Sequence, residues 1–358
     1  MVAPTASRTE FFPLTVARID ALTDDAAAVT FAVPDELRER FAFAPGQSLT
    51  VRRRMGEADE RRSYSICVPA GAAPRIGVRA VAGGAVSGWL VRELAPGDVV
   101  EVQAPSGAFT PDLAAAGRHV LLAAGSGITP MLSIAGSVLA AHADSEVTLV
   151  YGNRRSDSVM FADELADLKD SYPARLQLVH VLSREPQEVE LFNGRLDAAK
   201  LRELLPATVD VDAVDHWWLC GPFGMVTDAI DVLTGFGVPR ARIHRELFYV
   251  GDDPPVEVHH ADVPIGTGAE VTVVLDGRTT VVTVPPDTAV LDGAQRVRPD
   301  LPFACKGGVC GTCRALVRHG EVRMRRNYAL EQDEVDAGYV LTCQALPVSD
   351  EITVDYDA

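Results

Sequence analysis

The chain has 358 residues, with 33 lysines and arginines against 50 aspartates and glutamates, a net charge of -17 and a pI near 4.9. That acidity excludes nucleic acid as a main partner, because a phosphate backbone needs a basic face. With 47% hydrophobic and 23% charged residues the chain has core enough for two or three compact units. Its first residues lack the basic and apolar regions of a secretory signal, so the expected address is cytoplasmic, where clustered thiols hold metal more often than they form disulfides.

Short strand-like runs come first: Leu14 to Ile19, Ala28 to Val33, Ser48 to Val51, Ile76 to Arg79 and Val99 to Val102, separated by proline and glycine as in a small antiparallel barrel. From about Arg118 the pattern changes. Strands near His119 to Ala124, Val147 to Tyr151, Leu176 to Leu182 and Trp217 to Cys220 alternate with helical stretches around 130–141, 160–171, 197–205 and 222–236, which predicts a parallel sheet covered on both faces. Val120 to Ala141 carries no charge and is long enough to span a bilayer, but Gly125, Gly127 and Pro130 break it into strand, turn and helix, so no membrane association is expected. An aperiodic stretch with prolines and histidines follows Gly251, and Glu270 to Val284 predicts a hairpin turning at Asp276-Gly277. The expected domains are therefore 1–112, a β-barrel; 113–250, α/β; a linker at 251–268; and 269–358, α+β.

Four of the six cysteines fall near the end: Cys305, Cys310 and Cys313, then Cys343. C-x4-C-x2-C with a fourth cysteine far downstream is the plant-type [2Fe-2S] spacing, and Gly307, Gly308 and Gly311 would let backbone N–H groups approach the sulfurs. Zinc is the plain alternative, but it usually takes two C-x2-C pairs or a Cys/His mixture.

In the barrel region Arg62-Ser63-Tyr64-Ser65 offers an arginine for a pyrophosphate, a ring for stacking and a hydroxyl, and Gly83, Gly84 and Ser87 open a short helix able to present N–H groups to phosphate. An exposed arginine beside a strand tyrosine would read the same way. Further on, Gly125-Ser126-Gly127-Ile128-Thr129-Pro130 joins the first parallel strand to its helix, and glycines there admit a dinucleotide's pyrophosphate. The next strands end in Asn153-Arg154 and Ser183-Arg184, where a carboxylate would select the ribose of NADH; arginine and serine suit the 2'-phosphate of NADPH, or else form a solvated basic edge.

Barrel, R-x-Y-S, G-G-x-x-S and G-S-G-I-T-P in this order resemble the ferredoxin-NADP reductase superfamily over residues 12–250. With the cysteine module appended, the whole resembles the reductase subunits of phenylacetyl-CoA 1,2-epoxidase complexes, on Tyr151 to Arg154, Val181 to Glu185, Ala304 to Cys310, Asn327 to Glu331 and Leu341 to Pro347. The resemblance implies an antiparallel β-barrel FAD domain, an α/β NADP domain and a β-grasp ferredoxin domain that pass electrons from NADPH through FAD and the cluster to a di-iron oxygenase. It also implies roles for residues. Ser65, Cys220 and Glu246 would be catalytic; Arg62, Tyr64, Arg79, Val86 and Phe248 would join the glycines and Ser87 around FAD; Gly221 and Pro222 would line the coenzyme with Cys220, which otherwise reads as a core cysteine. Two rival functions remain: the reductase of a Rieske-type oxygenase such as ketosteroid hydroxylase, and an iron-sulfur redox sensor. The last 102 residues, 257–358, hold nine basic against sixteen acidic residues, which suits docking on a basic protein partner. Cys67 has no assignment beyond packing.

Overall fold

The structure is a computed structural model that describes residues 10–56, 58–248 and 268–358. Apart from Gly268, the expected linker at 251–268 lies outside the described residues. Two compact units emerge: one contains Phe12–Arg52 and Tyr64–Phe248, while the other contains Arg53–Ser63 and the C-terminal segment.

The first strands are β1 (Phe11–Thr23), β2 (Ala26–Ala32), β3 (Ser48–Met55), β4 (Ala58–Ser65) and β5 (Arg75–Arg79), followed by helix α1 (Ala85–Arg92) and β6 (Val99–Gln103). They form one sheet in the order β4-β3-β6-β1-β2-β5. Period-two alternation sends Leu14 and Val16 of β1 inward to meet Phe31, Leu49, Val51, Ile76 and Val102, and each such side chain contributes ~2 kcal/mol on leaving water. The sheet closes where Ile66, just past β4, bridges to Ile76 and the Cys67 N–H reaches the Arg75 carbonyl at 2.9 Å. That closure explains Cys67: its thiol donates to the same carbonyl at 3.2 Å, and burial pushes its pKa up to about 12, so it is an inert seam residue of the barrel.

Next come β7 (Arg118–Ala124), α2 (Ile128–Ala141), β8 (Glu146–Asn153), α3 (Ala162–Ser171), β9 (Leu176–Leu182), α4 (Ala198–Thr208), β10 (His216–Gly221), α5 (Phe223–Gly235) and β11 (Ile243–Leu247). All pairs in the sheet β11-β10-β7-β8-β9 are parallel. The chain steps outward from β7 to β8 and β9, then returns to the other side of β7, so the connections diverge between β7 and β10 and leave a crevice at their carboxyl ends. The charge-free run is indeed strand, turn and helix, and its apolarity is explained because Ile128 through Leu139 of α2 are all buried. Among the described residues no helix is long and apolar enough to cross a membrane.

At the amino ends of the same strands three imidazoles surround an indole. Trp218 Nε1–H donates to His119 Nδ1 at 3.2 Å, the Trp218 ring stacks on His244 at 4.1 Å, and His216 Nδ1 lies 3.2 Å from His244 Nε2.

The C-terminal segment contains β12 (Ala269–Leu275), β13 (Arg278–Val284), α6 (Val290–Ala294), β14 (Arg314–His319), β15 (Val322–Met324), α7 (Gln332–Asp336), β16 (Tyr339–Leu341), β17 (Ala345–Pro347) and β18 (Glu351–Asp355). The main sheet, β13-β12-β18-β14-β16, places the last strand parallel beside the first, the β-grasp arrangement expected from the sequence. Asp276 and Gly277 both take positive φ, 52° and 67°, as a type I' hairpin turn requires, and the Asp357 carboxylate accepts both of their N–H groups.

Candidate functional site: a crevice at the strand switch and a four-thiol loop

The crevice between β7 and β10 gathers most of the residues expected to face the nicotinamide. Gly125 has φ 55°, and the loop after β7 passes so close to β10 that a Cβ on Gly127 would lie 2.1 Å from the Cys220 carbonyl oxygen. Only glycine allows this approach, which leaves backbone bare where a pyrophosphate could rest. Tyr151 Oη fixes the loop by donating to the Gly125 carbonyl at 2.8 Å. Thr129 and Pro130 are enclosed in the first turn of α2, and the Thr129 hydroxyl donates to the Ser126 carbonyl at 3.0 Å, so these two shape the loop from within. Gly221 follows Cys220 into the crevice, and Pro222 caps α5.

Cys220 stands opposite Glu246 in the parallel register of β10 and β11. Ser65 Oγ, buried at 3% exposure, donates to Glu246 Oε2 at 3.0 Å, so the three residues expected to act together do meet. Burial raises the Glu246 pKa to about 7, opposed by the Ser65 hydrogen bond, and a carboxyl group near neutrality can hold or release a proton. Burial, followed by the nearby Glu246, pushes the Cys220 thiol well above its ordinary value, so it is a neutral, soft surface and not a nucleophile. Phe248 is half-buried against the core cluster that includes Cys220.

The other expected flavin residues lie on the barrel. Arg62 forms an ion pair with Glu60 at 3.1 Å and donates to the Arg61 carbonyl, while Tyr64 packs half-buried against the barrel core. Arg79 pairs with Asp25 at 3.1 Å and donates to the Ser158 carbonyl at 2.8 Å, bracing the barrel against the loop after β8. Gly83 is open and takes φ 72°, Gly84 caps α1, and the buried Ser87 Oγ accepts the Val81 N–H at 3.1 Å. Val86 is buried in the barrel core, so it contributes packing and at most its backbone to the helix start.

Beyond β8 and β9 the parallel pairing continues: Ser183 N–H donates to Asn153 O at 3.0 Å and Arg184 N–H to Arg154 O at 2.8 Å. This holds two exposed arginines side by side. No ion pair reaches either of them among the described residues, whereas Arg155 is paired with Asp157. The adjoining carboxylate, Glu185, is turned to the Ser156 N–H and hydroxyl, both at 2.9 Å, which lowers its pKa. Among the described residues the buried Asn153 amide finds no hydrogen-bond partner, which leaves it open to a ligand. A phosphorylated dinucleotide fits these residues.

The cysteine loop runs from Cys305 to Cys313 with Lys306, Gly308 and Gly311 at positive φ, and the Gly307 N–H points at Cys305 Sγ, 3.3 Å away. Lys306 is held in this left-handed state by an ion pair with the buried Asp292 at 2.9 Å, and the Gln344 amide donates to its carbonyl at 2.7 Å. The thiols gather as two pairs. Cys305 is held below the usual thiol range by its contact with Cys310, and Cys313 is driven up by Cys343 and then by burial. Among the described residues no three Cys, His, Asp or Glu side chains converge as they would around one ion. Two thiol pairs suit a binuclear cluster with two ligands on each iron better than a tetrahedral zinc site. Tyr356 Oη donates to the Thr342 hydroxyl at 2.8 Å, and Thr342 in turn donates to the Cys313 carbonyl at 2.9 Å, which fixes the residue before Cys343. Sequence spacing did not point to Asp292, Thr342, Gln344 or Tyr356, because none lies within the cysteine loop.

Three family models match in succession: an oxidoreductase FAD-binding domain over residues 13–110, an oxidoreductase NAD-binding domain over 121–231 and a 2Fe-2S iron-sulfur cluster binding domain over 273–348. The chain is 43% identical to a 1,2-phenylacetyl-CoA epoxidase subunit of Escherichia coli (strain K12), over 98% of this chain and 99% of that one. It is 36% identical to the ferredoxin reductase component of the 3-ketosteroid-9-alpha-monooxygenase of Rhodococcus rhodochrous, over 96% of each. Phthalate dioxygenase reductase shares the fold at a TM-score of 0.59 and 24% identity, covering 96% of this chain and 98% of that chain. The chain belongs to the oxygenase reductases in which FAD-binding, NAD-binding and 2Fe-2S modules follow one another on a single polypeptide.

Proposed function

We propose that this protein draws electrons from NADPH and delivers them, through FAD and a [2Fe-2S] cluster, to a di-iron oxygenase that epoxidises the aromatic ring of phenylacetyl-CoA. The observation that carries this reading is the end-to-end likeness, at 43% identity, to the Escherichia coli epoxidase component. Bound FAD would accept a hydride and part with its electrons one at a time, which the cluster would carry onward singly.

The chain's own residues supply placement. Arg62, Tyr64, Arg79 and the Gly83 to Ser87 turn hold the flavin, and Phe248 packs beside it. Ser65 Oγ and Glu246 Oε2, 3.0 Å apart, hold and move a proton at the flavin edge, while Cys220 offers an uncharged face to the nicotinamide. Arg154, Ser183 and Arg184 grip the 2'-phosphate, and Asn153 the adjoining ribose. Cys305 and Cys310, and Cys313 with Cys343, are the side chains that would hold the iron of the cluster.

A second reading has its own support: the ketosteroid relatives, at 36% and 37% identity, are reductases of another oxygenase. Mixing the purified holoprotein with each candidate oxygenase, its substrate and NADPH separates the two. Coupled product formation only with the epoxidase components is expected, and turnover only with a ketosteroid oxygenase would replace the first reading with the second. A redox sensor would show no sustained NADPH oxidation with any electron acceptor.

A further inference from the structure

Arg61 lies on β4, one residue before the expected flavin arginine, and is only 3% exposed. Within the unit formed by Arg53–Ser63 and the C-terminal segment, its guanidinium donates to the carbonyls of Leu301 at 3.3 Å and Pro299 at 3.2 Å. It also binds the Asp59 carboxylate at 2.6 Å and covers the Phe303 ring at 4.1 Å. Lys306 Nζ also lies over that ring, 4.9 Å from its centre, and is itself held by Asp292. A buried guanidinium is costly, and two carbonyls and a ring, unlike a second carboxylate, do not neutralise it. What they do is fix geometry, since the planar fork reaches two carbonyls, two residues apart, in the loop that leads into Cys305.

We propose that Arg61 is a positioning residue for electron entry into the cluster: it fastens its own stretch of β4 to the loop that leads into Cys305 and so sets where that loop holds its thiol. The proposal rests on the electron path given above. In that path each NADPH oxidised to NADP+ releases a proton and two electrons, so two one-electron acceptors would be reduced for each NADPH. Arg61 touches none of the reacting groups. Its effect is confined to the transfer that follows flavin reduction.

The test uses the full-length holoprotein, mixed rapidly and anaerobically with NADPH. Flavin reduction is followed by absorbance and cluster reduction by the paramagnetic signal of freeze-quenched samples. In Arg61→Ala flavin reduction should stay within about twofold of the unaltered protein while cluster reduction slows by about tenfold or more, the size of effect that follows when the loop carrying Cys305 is no longer held in place. Arg61→Lys, which reaches one carbonyl but lacks the fork, should fall between them. Cluster content after chemical reduction should be unchanged in both variants. Cluster reduction at the unaltered rate in Arg61→Ala would overturn the proposal, as would loss of flavin or cluster from both variants, which would make Arg61 a folding residue. If NADPH does not bleach the flavin of the unaltered protein, the electron path itself is wrong, and that result is available before any variant is made.

Discussion

The three imidazoles around Trp218 make the nucleotide domain sensitive to mild acid. Burial, and then the neighbouring His216, lower the pKa values of His119 and His244 to about 4 from an ordinary 6.5. Geometry gives the same sign. Protonated His119 would turn an Nδ1–H against the Trp218 N–H that it now accepts, and the His216–His244 contact works only when one of the two nitrogens lacks a hydrogen. Between pH 6.5 and 4 the unfolded chain therefore binds protons that the folded chain refuses, so stability is full above about 6.5 and falls as the pH drops through that window. At pH 5 the loss is about 2 kcal/mol for the buried His119 and less for the half-buried His244, about 3 kcal/mol together. The variant to measure is His119→Asn, whose amide oxygen can still accept from Trp218. Urea unfolding at pH 7 and pH 5, read by native-state hydrogen exchange of the β10 amides, should show the variant losing about 2 kcal/mol less than the unaltered protein over that step. Parallel pH dependences in the two proteins would refute the reasoning, whatever their absolute stabilities.

Other expectations concern the crevice. With Glu246 titrating near 7, kcat/KM for NADPH should show an ionisation close to neutrality, and Glu246→Gln should lose it together with about a hundredfold of rate; an unchanged pH profile would remove Glu246 from proton handling. Gly127→Ala places a methyl group 2.1 Å from the Cys220 carbonyl and should weaken NADPH binding by about tenfold or more in coenzyme titrations while flavin content stays normal. Arg184→Ala should reduce kcat/KM for NADPH by about ten- to a hundredfold and leave that for NADH nearly unchanged, and equal losses with both coenzymes would show that Arg184 does not read the 2'-phosphate.

The parts of the site readable from sequence were those whose chemistry is compressed into one loop. Cys305 to Cys313 and Gly125 to Pro130 each carry their conformational demands in adjacent residues, so spacing alone revealed them. The Asp276-Gly277 turn was visible for the same reason. β4 escaped the apolar pattern, because Ala58 to Ser65 is nearly all charged or polar and its one fully buried long side chain is an arginine. The imidazole cluster was hidden as well. His119, His216 and His244 come from three strands, and His119 and His216 are brought opposite each other only by the return of β10 beside β7. Cys67 gave no signal because a hydrogen-bonded seam thiol and a plain core cysteine look alike in one dimension.

The division of the four clustered cysteines between one loop and a distant strand end bears on how the protein matures. Cys305, Cys310 and Cys313 can gather within their own loop, but Cys343 arrives only once β16 has paired with β14 and Thr342 has docked on the Cys313 carbonyl. A cluster held by all four thiols would therefore need that pairing in place, so binding it and folding this end of the sheet would be coupled.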